Sequence, residues 1–161
     1  MKMHSTHIDL PETIRQPVIT LLNARLADAI DLGLQCKQAH WNVKGPNFFA
    51  LHQLFDQIHQ HVQQHIDEIA ERVVSLGGTA MGTVSEVSQW TRLPVYPTDL
   101  VDGTAHAQAL AKSLAAFGKE IRQAIDASDE AGDAVTADLF TRLAAEVDKD
   151  LWMVEAHFAE K

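Results

Sequence analysis

A chain of 161 residues, 46% hydrophobic and 22% charged, has the composition of one ordinary globular domain, large enough to bury its own core and too apolar to be disordered. Its formal net charge of −9 makes a surface that repels nucleic acid and membrane phosphates and attracts cations. No apolar run approaches the roughly 18 residues of a membrane span, no apolar segment follows Lys2, and the lone Cys36 has no disulfide partner within the chain. These features predict a cytoplasmic protein with Cys36 as a small core residue.

Residues 1–11 read as a short tail on a single domain spanning 1–161. The first helix is expected from Pro11–Glu12 to Val43, where Lys44-Gly45-Pro46 stops it. Pro17 lies inside this segment, which argues for a start one turn later. The second helix is expected to open at Asn47, as N-cap, and to end at Gly77-Gly78. Phe48, Leu51, Phe55, Ile58, Val62, Ile66, Ile69, Val73 and Leu76 fall on one stripe of it, about 80° wide. From Thr79 to Asp102 the chain is punctuated by Pro94 and Pro97, with room for a short helix over Ser85–Gln89. A third long helix is predicted over Gly103–Ala127, with Ala107, Leu110, Leu114, Phe117, Ile121 and Ala124 on one face. A fourth is predicted over Asp133–Phe158, with Phe140, Leu143, Val147, Leu151, Val154 and Phe158 on one face. Four helices with a long crossover between the second and third, carrying a short helix, make an all-α fold of the ferritin-like four-helix-bundle topology.

Of 9 histidines, four (His52, His59, His61, His65) crowd the second helix. With His52 at the origin, Asp56 lies at about 40°, His59 at about 340°, Asp67 at about 60° and Glu71 at about 100°, a stripe of ligand-type side chains beside the apolar one. His61 and His65, at about 180° and about 220°, read as surface. His40 shares a face of the first helix with Ile14, Val18, Leu21, Leu32 and Val43. His52/Asp56 and Asp67/Glu71 are i, i+4 pairs, the spacing at which two side chains chelate one ion. The bland alternative is a solvated or internally satisfied helix face. Imidazole with carboxylates suits iron, zinc or manganese. There is no Glu-x-x-His, so the usual di-iron site within one bundle is not available. The two pairs are centred about 22 Å apart along the helix axis at 1.5 Å per residue. One ion cannot bridge that distance, so a site using both pairs needs two copies with this helix antiparallel across a two-fold axis.

Lys37-Gln38-Ala39-His40-Trp41-Asn42-Val43-Lys44-Gly45-Pro46-Asn47-Phe48, Leu51-His52-Gln53-Leu54-Phe55-Asp56 and Asp67-Glu68-Ile69-Ala70-Glu71-Arg72 resemble the signature of the Dps proteins, the mini-ferritins named for DNA protection during starvation. The likeness continues through Thr136-Ala137-Asp138-Leu139-Phe140 and Asp148-Lys149-Asp150-Leu151-Trp152, and so covers nearly the whole chain. The resemblance implies a hollow dodecamer whose two-fold interfaces hold ferroxidase sites, with His40, His52 and Asp56 of one subunit facing Asp67 and Glu71 of another. It implies oxidation of ferrous iron, preferentially with hydrogen peroxide over oxygen, storage of the ferric product, and protection of the cell and its DNA. Zinc or manganese are candidate substitutes for iron, and nucleoid association is a family option beyond the cytoplasm.

Other positions carry both a functional and a bland reading. Trp41 is close to the iron in the family, or simply packs. His59 is a candidate for a further ion, or an interface histidine. Asp129, Glu130, Asp133 and Asp138 match acids that line a three-fold pore in the family, while Asp133 equally suits the dipole of the fourth helix. Two departures stand out. Gln53 and Gln57 occupy places where some family members carry cavity-facing acids, and the lysine-rich tail of DNA-compacting members is reduced here to Lys2 and Lys161. DNA compaction with iron oxidation secondary is the competing function; the acidic surface argues for weak DNA binding or none, because non-specific affinity comes from neutralised phosphates.

Overall fold

In the computed structural model, which describes residues 3–158, five helices follow in chain order: α1 (Glu12–Asn42), α2 (Phe48–Ser75), α3 (Val84–Trp90), α4 (Gly103–Glu130) and α5 (Ala134–Glu155). Among the described residues there is no strand, only a single bridge between Lys44 and Asp102. The long helices form the four-helix bundle, and α3 sits in the crossover between α2 and α4. Lys2 and Lys161 lie outside the described residues.

The helix ends show which sequence signals act. α1 begins at Glu12 and runs straight through Pro17, not a turn later. Pro17 and Thr13 are both exposed, so the Thr13 carbonyl that a proline cannot satisfy is open to water. Asn47 precedes α2 as expected, but its side chain makes no capping hydrogen bond. At the other end, Gly77 takes φ +89°, its N–H donates to the Val74 carbonyl and that of Gly78 to Val73. Gly132, at φ +88°, closes α4 the same way. Both are αL stops that a side chain would strain. Because the stop is set by Gly132, α4 reaches Glu130 and passes the expected end at Ala127. Asp133 then caps α5 by accepting from the Thr136 N–H at 3.0 Å. α5 ends at Glu155, and residues up to Phe158 form a turn.

The apolar faces meet in one continuous core. Ala107, Leu110, Leu114, Phe117, Ile121 and Ala124 of α4 are fully buried, as are Phe55, Ile58, Ile69 and Val73 of α2. Each buried phenylalanine, Phe55, Phe117 and Phe140, contributes about 2 kcal/mol by leaving water. Phe48, at the open end of α2, is 44% exposed, and Ile66 is half-buried. Cys36 is fully buried.

A polar row on α1 ties down the crossover. The Asn23 amide donates to the Thr79 carbonyl and its oxygen accepts from the Met81 N–H. Asp28 accepts from the Arg92 N–H at 2.8 Å, Asp31 from the Thr91 hydroxyl at 2.7 Å, and Gln35 donates to the Pro94 carbonyl at 3.1 Å. These α1 side chains hold the crossover by its backbone and by the Thr91 hydroxyl, in place of regular secondary structure. The tail is also docked, with the His4 N–H donating to the Gly77 carbonyl at 2.7 Å.

Candidate metal centre

The turn between α1 and α2 folds the chain back so that the last turn of α1 lies against the first turns of α2. His40 and His52 are thereby stacked, with ring centroids 3.7 Å apart and planes inclined by 21°. Each ring is clamped by the other's backbone: His40 Nδ1 lies 2.8 Å from the His52 carbonyl oxygen, and His52 Nδ1 lies 2.8 Å from the His40 carbonyl oxygen. A carbonyl oxygen can only accept, so both Nδ1 atoms carry hydrogen and Nε2 is the nitrogen each ring has left for a metal. Locking the tautomer through the far nitrogen is how proteins aim imidazoles at metals.

Asp56 lies one turn beyond His52 and lines the same open groove, about 400 Å3 in volume, with Gln53, Gln57 and Gln60. Lys37, one turn before His40 on α1, places its Nζ 2.7 Å from Asp56 Oδ1. That hydrogen bond holds the Asp56 carboxyl below the usual carboxylate range. The ammonium thus sits on the carboxylate as a cation, and it also lies 5.8 Å from the centre of the Trp41 ring, within cation–π range. Trp41 itself is 68% exposed, so the packing reading does not hold within one subunit. Lys37 stands at i, i+3 from His40, on the same face of α1, a spacing that marks it as a neighbour of the site from the sequence.

Asp67 and Glu71 stand at the far end of α2, away from this groove. Both are exposed and, among the described residues, neither takes a hydrogen bond or ion pair. Glu71 lines a separate groove with Arg72, Asp138 and Arg142. Among the described residues, no three His, Cys, Asp or Glu side chains of one copy are arranged to hold an ion.

The remaining candidates are distributed as follows. His59 is half-buried and its Nδ1 lies 3.0 Å from the Gly33 carbonyl oxygen, leaving Nε2 with the lone pair. Asp129, Glu130 and Asp138 are exposed. Asp133 is 1% exposed and is engaged by the Arg72 guanidinium at 2.8 Å as well as by its cap, which leaves it no open face for a pore. Of His61 and His65, both read as surface from α2 alone, His65 is buried and His61 is partly covered. His65 is 1% exposed and its Nε2 lies 2.8 Å from Glu146 Oε2, while half-buried His61 places Nδ1 3.0 Å from Asp150 Oδ1. Burial pushes the Asp150 carboxyl up, against the opposing pull of His61. The partners sit on α5, which covers a face that α2's own periodicity leaves polar.

Residues 19–160 match the family model for the ferritin-like domain, the class that the bundle and its crossover define. A DNA protection during starvation protein of Agrobacterium fabrum is 50% identical over all of this chain and 99% of its own length, and one of Brevibacillus brevis is 34% identical over 89% of this chain and 96% of its own. The chain belongs to the DNA protection during starvation, or Dps, family. Among solved structures, DpsC from Streptomyces coelicolor superposes with a TM-score of 0.94 at 27% identity, covering 99% of this chain and 94% of that one. The Vibrio cholerae Dps protein, described as a member of a broad superfamily of ferritin-like diiron-carboxylate proteins, gives 0.90 at 29% identity and 99% of each chain. No helix among the described residues is long and apolar enough to cross a membrane.

Proposed function

We propose that this chain is an iron-oxidising and iron-storing mini-ferritin, in which ferrous iron is the substrate of sites made between two copies. The observation that carries the reading is the reciprocal clamp of His40 and His52, which engages both Nδ1 atoms and leaves Nε2 as the free ring nitrogen on two residues that line one groove with Asp56. Asp67 and Glu71 of a second copy, with α2 antiparallel, supply the missing carboxylates. Iron arriving at the groove displaces the Lys37 ammonium from Asp56. Two ferrous ions giving one electron each reduce one hydrogen peroxide to two waters with uptake of two protons, so no hydroxyl radical is released. Paired His and carboxylate ligands suit this chemistry because they accommodate both ferrous and ferric ions.

The relatives' name places such proteins in DNA defence. For this chain we infer protection through removal of iron and peroxide within a closed cytoplasmic cage, a dodecamer as in the resemblance. A −9 chain offers DNA a repulsive surface. The test is anaerobic ferrous loading of the purified protein followed by peroxide, with ferric absorbance and particle size recorded. Wild type gives fast oxidation; His52→Ala/Asp56→Ala gives a cage of unchanged size without the fast phase. Undiminished oxidation in that variant removes the assigned site.

A further inference from the structure

The chain has a single tyrosine, and the structure pairs it with a base. Tyr96, in the crossover after α3, is 8% exposed, and His106, in the first turn of α4, is 1% exposed. The phenol oxygen lies 2.7 Å from His106 Nδ1, and His106 Nε2 lies 3.1 Å from the Leu100 carbonyl oxygen. The carbonyl fixes the ring hydrogen on Nε2, so Nδ1 is a lone pair and the phenol donates to it. Burial pushes the His106 imidazole down, keeping it neutral and able to accept a proton. Burial pushes the Tyr96 phenol up, so the hydroxyl keeps its proton until something removes it.

A buried tyrosine needs a hydrogen-bond partner, and an amide or carbonyl would satisfy that need. A neutral imidazole does more, because it can take the proton outright. Removing one electron from a phenol makes a strongly acidic radical cation, a charge that a low-dielectric interior disfavours. With a base at hydrogen-bond distance, the proton leaves with the electron and the product is a neutral phenoxyl radical. In a single copy Trp41, Trp90 and Trp152 are, by contrast, 68%, 40% and 65% exposed.

We propose that Tyr96 and His106 form a one-electron donor site that quenches radicals arising on the exposed tryptophans. A one-electron oxidant of the hydroxyl or azidyl radical class first takes an electron from a tryptophan, whose indole N–H proton goes to water. The indolyl radical then takes an electron from Tyr96 and a proton from water. The Tyr96 O–H bond breaks, its proton moves to His106 Nδ1, and the imidazolium keeps its Nε2–H bond to Leu100. The damage is thereby moved from the surface to a sheltered phenoxyl radical.

Pulse radiolysis of the intact protein with azidyl radicals tests this without iron, so the result is independent of the proposed ferroxidase site. In the wild type the indolyl absorption should decay as the phenoxyl absorption grows, at a rate independent of protein and buffer concentration. Tyr96→Phe should abolish the phenoxyl signal. His106→Gln retains an acceptor for the phenol and a donor for Leu100 but is not a base; transfer should slow about a hundredfold, the size of a positioned base's contribution. A wild type without phenoxyl, or a His106→Gln variant with an unchanged rate, overturns the proposal. Should that variant fail to fold, the wild type decides: a rate that rises with buffer concentration means the proton goes to solvent and the site is refuted.

Discussion

The two ends of α2 are prepared in opposite ways. At the N-terminal end, His40 and His52 are locked by each other's carbonyls and Asp56 is held by Lys37, so every ligand-type group has an assigned partner before iron arrives. At the C-terminal end, Asp67 and Glu71 are exposed and, among the described residues, unpaired. An organised half-site and an open half-site on one helix, about 22 Å apart, make sense if each completes its opposite number in another copy. On the proposed reading, the organised half would set the geometry and the open half would adapt to it.

The largest expected effect follows from treating the two ends as halves of one site. Asp67→Ala/Glu71→Ala should remove fast peroxide-driven oxidation as completely as substitution at the histidine end, a loss of more than about a hundredfold, since losing even a supporting partner of a ligand costs about ten- to a hundredfold. Stopped-flow ferric absorbance reads it. Oxidation near the wild-type rate would mean the open end is only a solvated acidic surface.

A smaller effect distinguishes the ends by their competitor. Lys37→Met frees Asp56 without touching Asp67 or Glu71. An exposed ion pair contributes at most about 1 kcal/mol, so anaerobic titration with cobalt(II) should show affinity increased by up to about fivefold. Weaker binding would make Lys37 a supporting residue and not a placeholder.

The smallest effect compares Asp56 with Asp150, a carboxylate on α5 shifted the other way. Burial raises the Asp150 pKa, so the folded state binds its proton more tightly than the unfolded state. Its stabilising contribution is complete below the ordinary carboxylate range and is lost as pH rises through the raised value. Asp150→Asn should therefore flatten the pH dependence of thermal stability on the acidic side, measured by the melting temperature between the ordinary carboxylate range and neutrality. A variant that keeps the wild-type slope would assign that slope to other groups.

Helix positions were legible in the sequence wherever the cause is local. The apolar period of α2 and α4 and the αL stop at Gly77 are properties of the chain's own neighbours, and the short α3 was expected over Ser85–Gln89 and found over Val84–Trp90; the stop at Gly132 was not read, so α4 runs past its expected end at Ala127. What escaped was set by remote partners. His65 reads as surface on a helical wheel but is buried because Glu146, 81 residues away, meets it from α5. Asp133 reads equally as a pore acid or as a helix-start acid; it is the α5 cap, and the Arg72 guanidinium, 61 residues earlier, that also reaches it was not legible. Of the candidate site, the ligand types and their stripe were visible; the carbonyl clamp on His40 and His52 and the Lys37 contact were not, because both need the turn between α1 and α2 to close.

The central claim, that each site is built from opposite ends of two copies, is tested most directly by mixing broken subunits. His52→Ala and Asp67→Ala proteins should each form inactive cages. Unfolded together and reassembled, a mixed pair contains one site with both lesions and one with none, the latter taking His40, His52 and Asp56 from the second variant and Asp67 and Glu71 from the first. Random symmetric pairing should restore about a quarter of wild-type oxidation capacity. No recovery, with mixing confirmed by mass spectrometry, would contradict the account, because a site contained in one subunit stays broken in every chain.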